Sequence, residues 1–226
     1  RRQDKKEEDF NLRMAYARLL ADAGRFEDAR EQFQIIATTQ PENSEVSFAL
    51  GLLQLQANRV AEAEPHFKRL VNNEERGDDA SYYLGRIAEE RKSFDQANVW
   101  YLGVQGGENY FDAQVRLGLI LAKQDRLDEA RTHLRSVRTR DAGERALLVQ
   151  AEGELLAESK RFDEAMSVYD QALQAGFNSD VMYARAMLAE KMDRLDILER
   201  DLREILDKDP DNAQALNALG YTLADR

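Results

Sequence analysis

Seven small residues recur along the chain at a near-constant interval: Ala17, Gly51, Gly85, Gly118, Gly153, Ala186 and Gly220, separated by 34, 34, 33, 35, 33 and 34 residues. A second series keeps the same step at Ala29, Ala63, Ala97, Ala130 and Ala165, and its members are followed four residues on by Phe33, Phe67, Tyr101, Leu134 and Tyr169. Two registers that stay in phase over five units are an internal repeat, and a period near 34 residues accommodates two helices and their turns. One such unit cannot bury its apolar face alone, so its neighbours must close the core. The expectation is one extended binding surface and not an enclosed active-site fold.

Apolar spacing explains why each unit is a helix pair. In the first half of a unit apolar residues fall at helical intervals, as in Leu12, Tyr16, Leu19 and Leu20, or Leu84, Ile87 and Ala88, with the small residue beside them so that two helices can approach closely. The second half repeats the logic in Ala29, Phe33 and Ile36, or Ala97, Tyr101 and Val104, the alanine at the crossing point and the aromatic in the adjoining gap. Turn-like segments such as Asp22-Ala23-Gly24-Arg25 and Gln56-Ala57-Asn58-Arg59 separate the halves, and Gly24 and Asn58 suit a left-handed helix-ending position. Pro41 and Pro210 follow second helices and punctuate the step to the next unit. Gly106-Gly107 and Gly143 mark places where the spacing slips by one, expected to be adjusted in loops.

Composition narrows the function. Charged residues make up 33% of the chain and the net charge is −11, which opposes a nucleic-acid partner because phosphate binding needs clustered Lys and Arg. No run approaches the roughly 20 apolar residues that span a bilayer. With no Cys there is neither a disulfide nor a thiolate metal site. The two histidines, His66 and His133, occupy the same place in units that are not adjacent, which sets them roughly 20 Å apart at about 10 Å per helix layer, too far to share a metal or a proton. Trp100 holds that place in the unit between them, so packing accounts for all three. No nucleophile elbow, metal-binding His pair or phosphate-binding loop occurs, and acidic pairs such as Glu7-Glu8, Glu74-Glu75 and Glu89-Glu90 read as solvated helix faces. The chain reads as a non-enzyme with no cofactor.

The small residue of the first helix, the Ala and aromatic of the second, and the occasional terminal Pro resemble the tetratricopeptide repeat family over residues 10 to 226. The sixth unit departs from the pattern, with Leu198 and Leu202 in place of Ala and aromatic. The resemblance implies an all-α fold: a right-handed superhelical solenoid of antiparallel helix pairs, six units starting near residues 10, 44, 78, 111, 146 and 179 and the first helix of a seventh from 213. Residues 1–9 are expected to be a charged linker or the tail of a preceding helix. Leu216, Leu219, Gly220 and Leu223 form an apolar stripe that calls for further repeats after residue 226.

In this family the first helices line a concave groove, and the residues one turn around from the packing face point into it. Those positions are Met14 and Arg18, Phe48, Leu52 and Leu55, Tyr82, Tyr83 and Arg86, Val115, Arg116 and Leu119, Gln150 and Glu154, Tyr183 and Met187, and Asn217 and Tyr221. The middle of the expected groove is apolar and aromatic with an Arg rim, as recognition surfaces are. A clamp for a chaperone's C-terminal carboxylate is not expected, because the matching places hold Met14, Arg18, Ala49, Asp79 and Tyr83, with one cation among them. More narrowly, Asp209-Pro210-Asp211-Asn212 and the segment from Leu216 to Asp225 resemble Gram-negative cell-envelope repeat proteins, in particular outer-membrane lipoproteins that serve as adaptors of periplasmic carboxyl-terminal processing proteases. That resemblance implies a scaffold at the periplasmic face of the outer membrane, held by an upstream lipid anchor, which brings the protease to cell-wall hydrolase substrates. A general envelope assembly scaffold and a cytoplasmic adaptor that takes a peptide segment in its groove stand beside it.

Overall fold

A computed structural model describes the backbone of residues 2–224 and the side chains of residues 9–222. Among them are thirteen α-helices and no strand: α1 (Arg2–Asp22), α2 (Phe26–Thr39), α3 (Ser44–Gln56), α4 (Val60–Leu70), α5 (Gly77–Glu90), α6 (Phe94–Leu102), α7 (Tyr110–Lys123), α8 (Leu127–Ser136), α9 (Ala142–Glu158), α10 (Phe162–Ala175), α11 (Ser179–Lys191), α12 (Leu195–Lys208) and α13 (Ala213–Ala224). The odd-numbered helices are the first halves of the repeats and the even-numbered ones the second. The helices fall into two compact units divided within α7, between Ala113 and Gln114.

The close approach of the two helices of a repeat has a specific cause. A Cβ added at Gly51, Gly85 or Gly153 would lie 2.8, 2.6 or 2.3 Å from the ring of Phe67, Tyr101 or Tyr169, and one at Gly118 would lie 2.6 Å from Leu134. The large side chain sixteen residues on, from the second helix, therefore fills the space a side chain would take. At the ends of the series Ala17 shares a core with Phe33, and Ala186 with Leu202. The alanines of the second series, Ala29, Ala63, Ala97, Ala130 and Ala165, are all completely buried at the crossing. Each large side chain so buried contributes about 1.5–3 kcal/mol.

The turn inside each repeat is equally regular. Gly24, Asn58, Lys92, Asp125, Lys160 and Asp193 all have φ between 57° and 74° and end the first helix in the left-handed region. The following amide closes the turn in every case, Arg25 donating to the Leu20 carbonyl at 2.8 Å and Arg161 to that of Leu156 at 2.8 Å, the Schellman pattern that satisfies otherwise orphaned carbonyls. Four of the first helices, α3, α9, α11 and α13, start on side-chain caps: Asn43, Asp141, Asn178 and Asn212 accept from the amides of Val46, Glu144, Val181 and Ala215 at 2.8–3.0 Å.

Two expectations are corrected. The charged segment at the start, expected as a linker or the tail of a preceding helix, is instead the first part of α1, which is helical from Arg2 and runs without a break into the first repeat. Gly143 lies inside α9, which begins at Ala142, a turn before the repeat register suggests, because Asp141 caps it there. Only the Gly106-Gly107 slip falls in a connection, where Gly107 has φ 78° and Asp78 and Asp79 hold the loop by accepting from Gln105 N and Asn109 Nδ2.

Gly153→Ala is expected to lower unfolding stability by about 1–3 kcal/mol in urea denaturation, because the Tyr169 ring occupies the space of the new methyl. Lys92→Gly is expected to raise it by about 0.5–1 kcal/mol by relieving a left-handed lysine. Unchanged midpoints would contradict each.

Candidate partner-binding surface

In the first unit the expected groove residues divide between core and surface. Met14 is 5% exposed and Tyr82 7%, so both belong to the packing and not to an open groove. Met14 joins Ala17 and Leu20 beneath α1, and the Tyr82 hydroxyl donates to Asp112 Oδ2 at 2.7 Å. Phe48 and Tyr83 remain half-buried and form an aromatic cluster with the core ring of Phe67. Tyr83 stacks on Phe67 at 5.2 Å, and Phe48 meets Phe67 and Tyr83 edge-on at 5.8 and 5.7 Å. Leu52 and Leu55 pack half-buried against the same core. The guanidinium of Arg76 stands 4.7 Å from the Phe48 centroid and also pairs with Asp79, while Arg86 lies exposed at 6.0 Å over Tyr82. Arg18 is ion-paired with Glu45.

In the second unit Val115, Arg116 and Leu119 are half-buried on α7. Leu119 borders a cavity of about 360 Å³ together with Glu154, Leu155 and Glu158. A larger cavity of about 580 Å³ is walled by α9 and α11, with Tyr183 and Met187 on one side, Gln150 and Glu154 on the other and Tyr169 of α10 beneath. Tyr221 borders neither cavity and projects from α13 at 77% exposure. Glu158, Asp180 and Lys191 also border the larger cavity and were outside the sequence expectation. Each continues an i, i+3 or i, i+4 row from an expected residue, so extending the helical row by one turn finds them.

The buried charges of this unit are structural. Asp201, with no exposed surface, receives both arms of Arg185 at 2.7 and 2.9 Å, and Arg185 also reaches Asp170, tying α10, α11 and α12 together. Glu152 takes Arg131 at 3.0 Å and Arg135 at 2.6 Å, linking α8 to α9. The acidic pair at Glu89 is likewise more than a solvated face, because Glu89 Oε2 accepts from the Tyr101 hydroxyl at 2.8 Å.

The histidines sit at second-helix positions facing the preceding helix. His66 Nδ1 lies 3.3 Å from Ser47 Oγ, and His133 Nε2 lies 3.0 Å from the Gln114 carbonyl. No group of three or more His, Cys, Asp or Glu is placed to hold a metal ion, and no helix is long and apolar enough to cross a membrane, among the described residues.

A stack of short helix pairs with half-buried aromatic and aliphatic side chains along its first helices defines a helical-repeat, protein-interaction protein. The tetratricopeptide repeat family model matches residues 14–78 and 115–180, more than half of the chain, and the chain belongs to that family. Over 154 residues it is 40% identical to the TPR repeat-containing protein PA4667 of Pseudomonas aeruginosa, a match that takes in 66% of this chain and 25% of that protein, so the chain spans about a quarter of its relative's length. Its fold is similar to that of PilF from Pseudomonas aeruginosa, with a TM-score of 0.60 and 15% identity over 98% of this chain and 100% of that one. It is similar also to MamA, at 0.60 and 19% over 74% and 92% of the two chains, and to YrrB, at 0.53 and 18% over 82% and 96%.

Burial holds both imidazoles below the ordinary value of 6.5; Arg69 adds to the effect at His66, and the bond to the Gln114 carbonyl opposes it at His133. A histidine whose pKa is lower folded than unfolded contributes stability that is complete above about 6.5 and declines as pH falls through that value. The urea midpoint is therefore expected to drop between pH 7.5 and 5.5, and the drop to shrink in a His66→Gln/His133→Gln chain; the lowered carboxylates, such as Glu64 beside Lys68 and Arg91, act only at more acid pH. An equal drop in both chains would contradict this.

Proposed function

We propose that the chain is the partner-binding array of a non-catalytic adaptor that holds a periplasmic carboxyl-terminal processing protease and brings it to cell-wall hydrolases at the outer membrane, with a lipid anchor upstream of this segment. Tetratricopeptide repeats are protein-interaction scaffolds, and one observation carries that reading here. The first helices present Phe48, Leu52, Leu55 and Tyr83 in one unit, and Leu119, Tyr183 and Met187 in the other, only half-buried after the core is complete. Such side chains supply the apolar centre of an interface, and the net charge of −11 favours protein partners over nucleic acid. YrrB, to which the fold is similar, is a TPR protein with an unusual peptide-binding site.

The narrower assignment to a protease adaptor rests on the resemblance carried by residues 209–225. The mechanism is tethering: two proteins held on one scaffold meet as if at millimolar concentration, so cleavage accelerates without any catalytic group on the scaffold.

Reconstitution from purified components tests the proposal. The full-length protein should co-elute with a carboxyl-terminal processing protease and accelerate its cleavage of a cell-wall hydrolase by about tenfold or more. Excess adaptor should slow the reaction again by separating protease and substrate onto different copies, and the adaptor alone should cleave nothing. A protease that neither co-elutes nor speeds up contradicts the adaptor role and leaves the general scaffold.

A further inference from the structure

The larger cavity of the second unit contains a hydrogen-bonding group that the repeat leaves without a partner. In the third repeat the Tyr101 hydroxyl donates to Glu89, twelve residues earlier, at 2.8 Å. In the fifth repeat the same register places Ala157 twelve residues before Tyr169. Tyr169 is 2% exposed, what is exposed borders the groove between α9 and α11, and its hydroxyl has no hydrogen-bond partner among the described residues. Burial, with Glu154 nearby, pushes its pKa up to about 12, so it stays a donor at neutral pH. Buried polar side chains are ordinarily paired within the protein, so a tyrosine that is nearly all buried, with its hydroxyl unpaired and open only to the groove, marks a place for an incoming acceptor.

The rim carries a second, independent signal. Glu154 and Glu158 of α9 and Asp180 of α11 line the groove, and none makes an ion pair or side-chain hydrogen bond among the described residues. The carboxylates around them behave differently: Glu152, Glu164, Asp170 and Asp201 are all committed to arginines. Glu154 and Glu158 also border the smaller cavity between α7 and α9, so the unpaired charge stands between two adjoining depressions. Lys191 is the one cation on the lining, and Leu147 with 54% exposure, Tyr183 and Met187 supply apolar surface.

We infer that this groove binds a cationic, amphipathic segment of a partner protein, whose Lys or Arg side chains lie among Glu154, Glu158 and Asp180, whose apolar side chains rest on Leu147, Tyr183 and Met187, and whose backbone carbonyl accepts from the Tyr169 hydroxyl. The inference rests on the scaffold reading and specifies the chemistry of its partner. Charge complementarity selects the sign of the segment, the apolar wall its alternation, and the phenol its register.

Fluorescence anisotropy with the 226-residue chain tests it, the probe being a labelled nine-residue peptide of alternating Lys and Leu and its Glu–Leu counterpart. The Lys–Leu peptide should bind and the Glu–Leu peptide should not. Glu154→Gln/Glu158→Gln/Asp180→Asn should weaken binding by about tenfold or more, while Asp196→Asn/Glu204→Gln/Asp207→Asn, which neutralises α12 outside the groove, should change it by less than about twofold. Tyr169→Phe should weaken it by about threefold or more at an unchanged melting temperature. Equal weakening by the two triple variants, or a Tyr169→Phe chain that binds as the parent does, overturns the inference. The groove triple variant in the protease reconstitution separates the two readings. Full acceleration by that variant overturns the groove and keeps the scaffold. Selective peptide binding without acceleration by the parent supports the groove and removes the protease role.

Discussion

The fold depends on one steric exclusion repeated along the chain: where the first helix of a repeat carries glycine or alanine, the large side chain sixteen residues later occupies the vacated space. At Gly85 and Gly153 the ring lies closer than any Cβ would allow. The second helix can therefore lie directly against the first, and the fully buried alanines of the second series let the crossing close from the other side. A bulkier residue at either series would separate the helices and withdraw the ring that the next layer packs on.

That use of the inner faces decides where recognition can occur. The core takes one side of each first helix and most of each second helix, and what remains is a half-buried row on the first helices. In the first unit the row is aromatic, tied to the core through the Phe67 and Tyr83 stack, with Arg76 covering Phe48. In the second it is mixed, with Tyr183 and Met187 facing unpaired carboxylates across a cavity. The second unit also carries the buried Arg185–Asp201 and Arg131–Glu152 bonds between helices. Removing one partner of such a bond would leave an uncompensated buried charge, so these bonds fix the helix spacing around the cavity more firmly than rim charges do.

The two small-residue series and the aromatic four residues after the alanine were enough to read the helix pairs and the family. They did not reveal that the glycine and the aromatic touch, because sixteen residues of separation across a turn carry no local periodicity. Met14 and Tyr82 lie in the core and not in the groove, since the apolar residues along a first helix do not by their spacing show which of them turns inward; their burial comes from tertiary packing. Gly24 and Asn58 announced the left-handed turn and Asp125 and Asp193 tolerate it, whereas Lys92 and Lys160 adopt it against their own preference and only the shared register betrays them. The charged start, which its composition suggested was a linker or the tail of a preceding helix, is helical and continuous with the first repeat. Asp201 and Glu152 looked like any surface acid, because the arginines that tie them to other helices, Arg185 and Arg135, lie sixteen and seventeen residues away.

Whether the glycine-to-ring contact sets the helix spacing can be measured by a double-mutant cycle on Gly85 and Tyr101. Gly85→Ala should cost stability in the parent chain and almost nothing on a Tyr101→Ala background, giving a coupling energy of about 1 kcal/mol or more. The same cost on both backgrounds, within about 0.3 kcal/mol, would mean that the ring and the missing side chain are independent and that something else determines the spacing of the repeat.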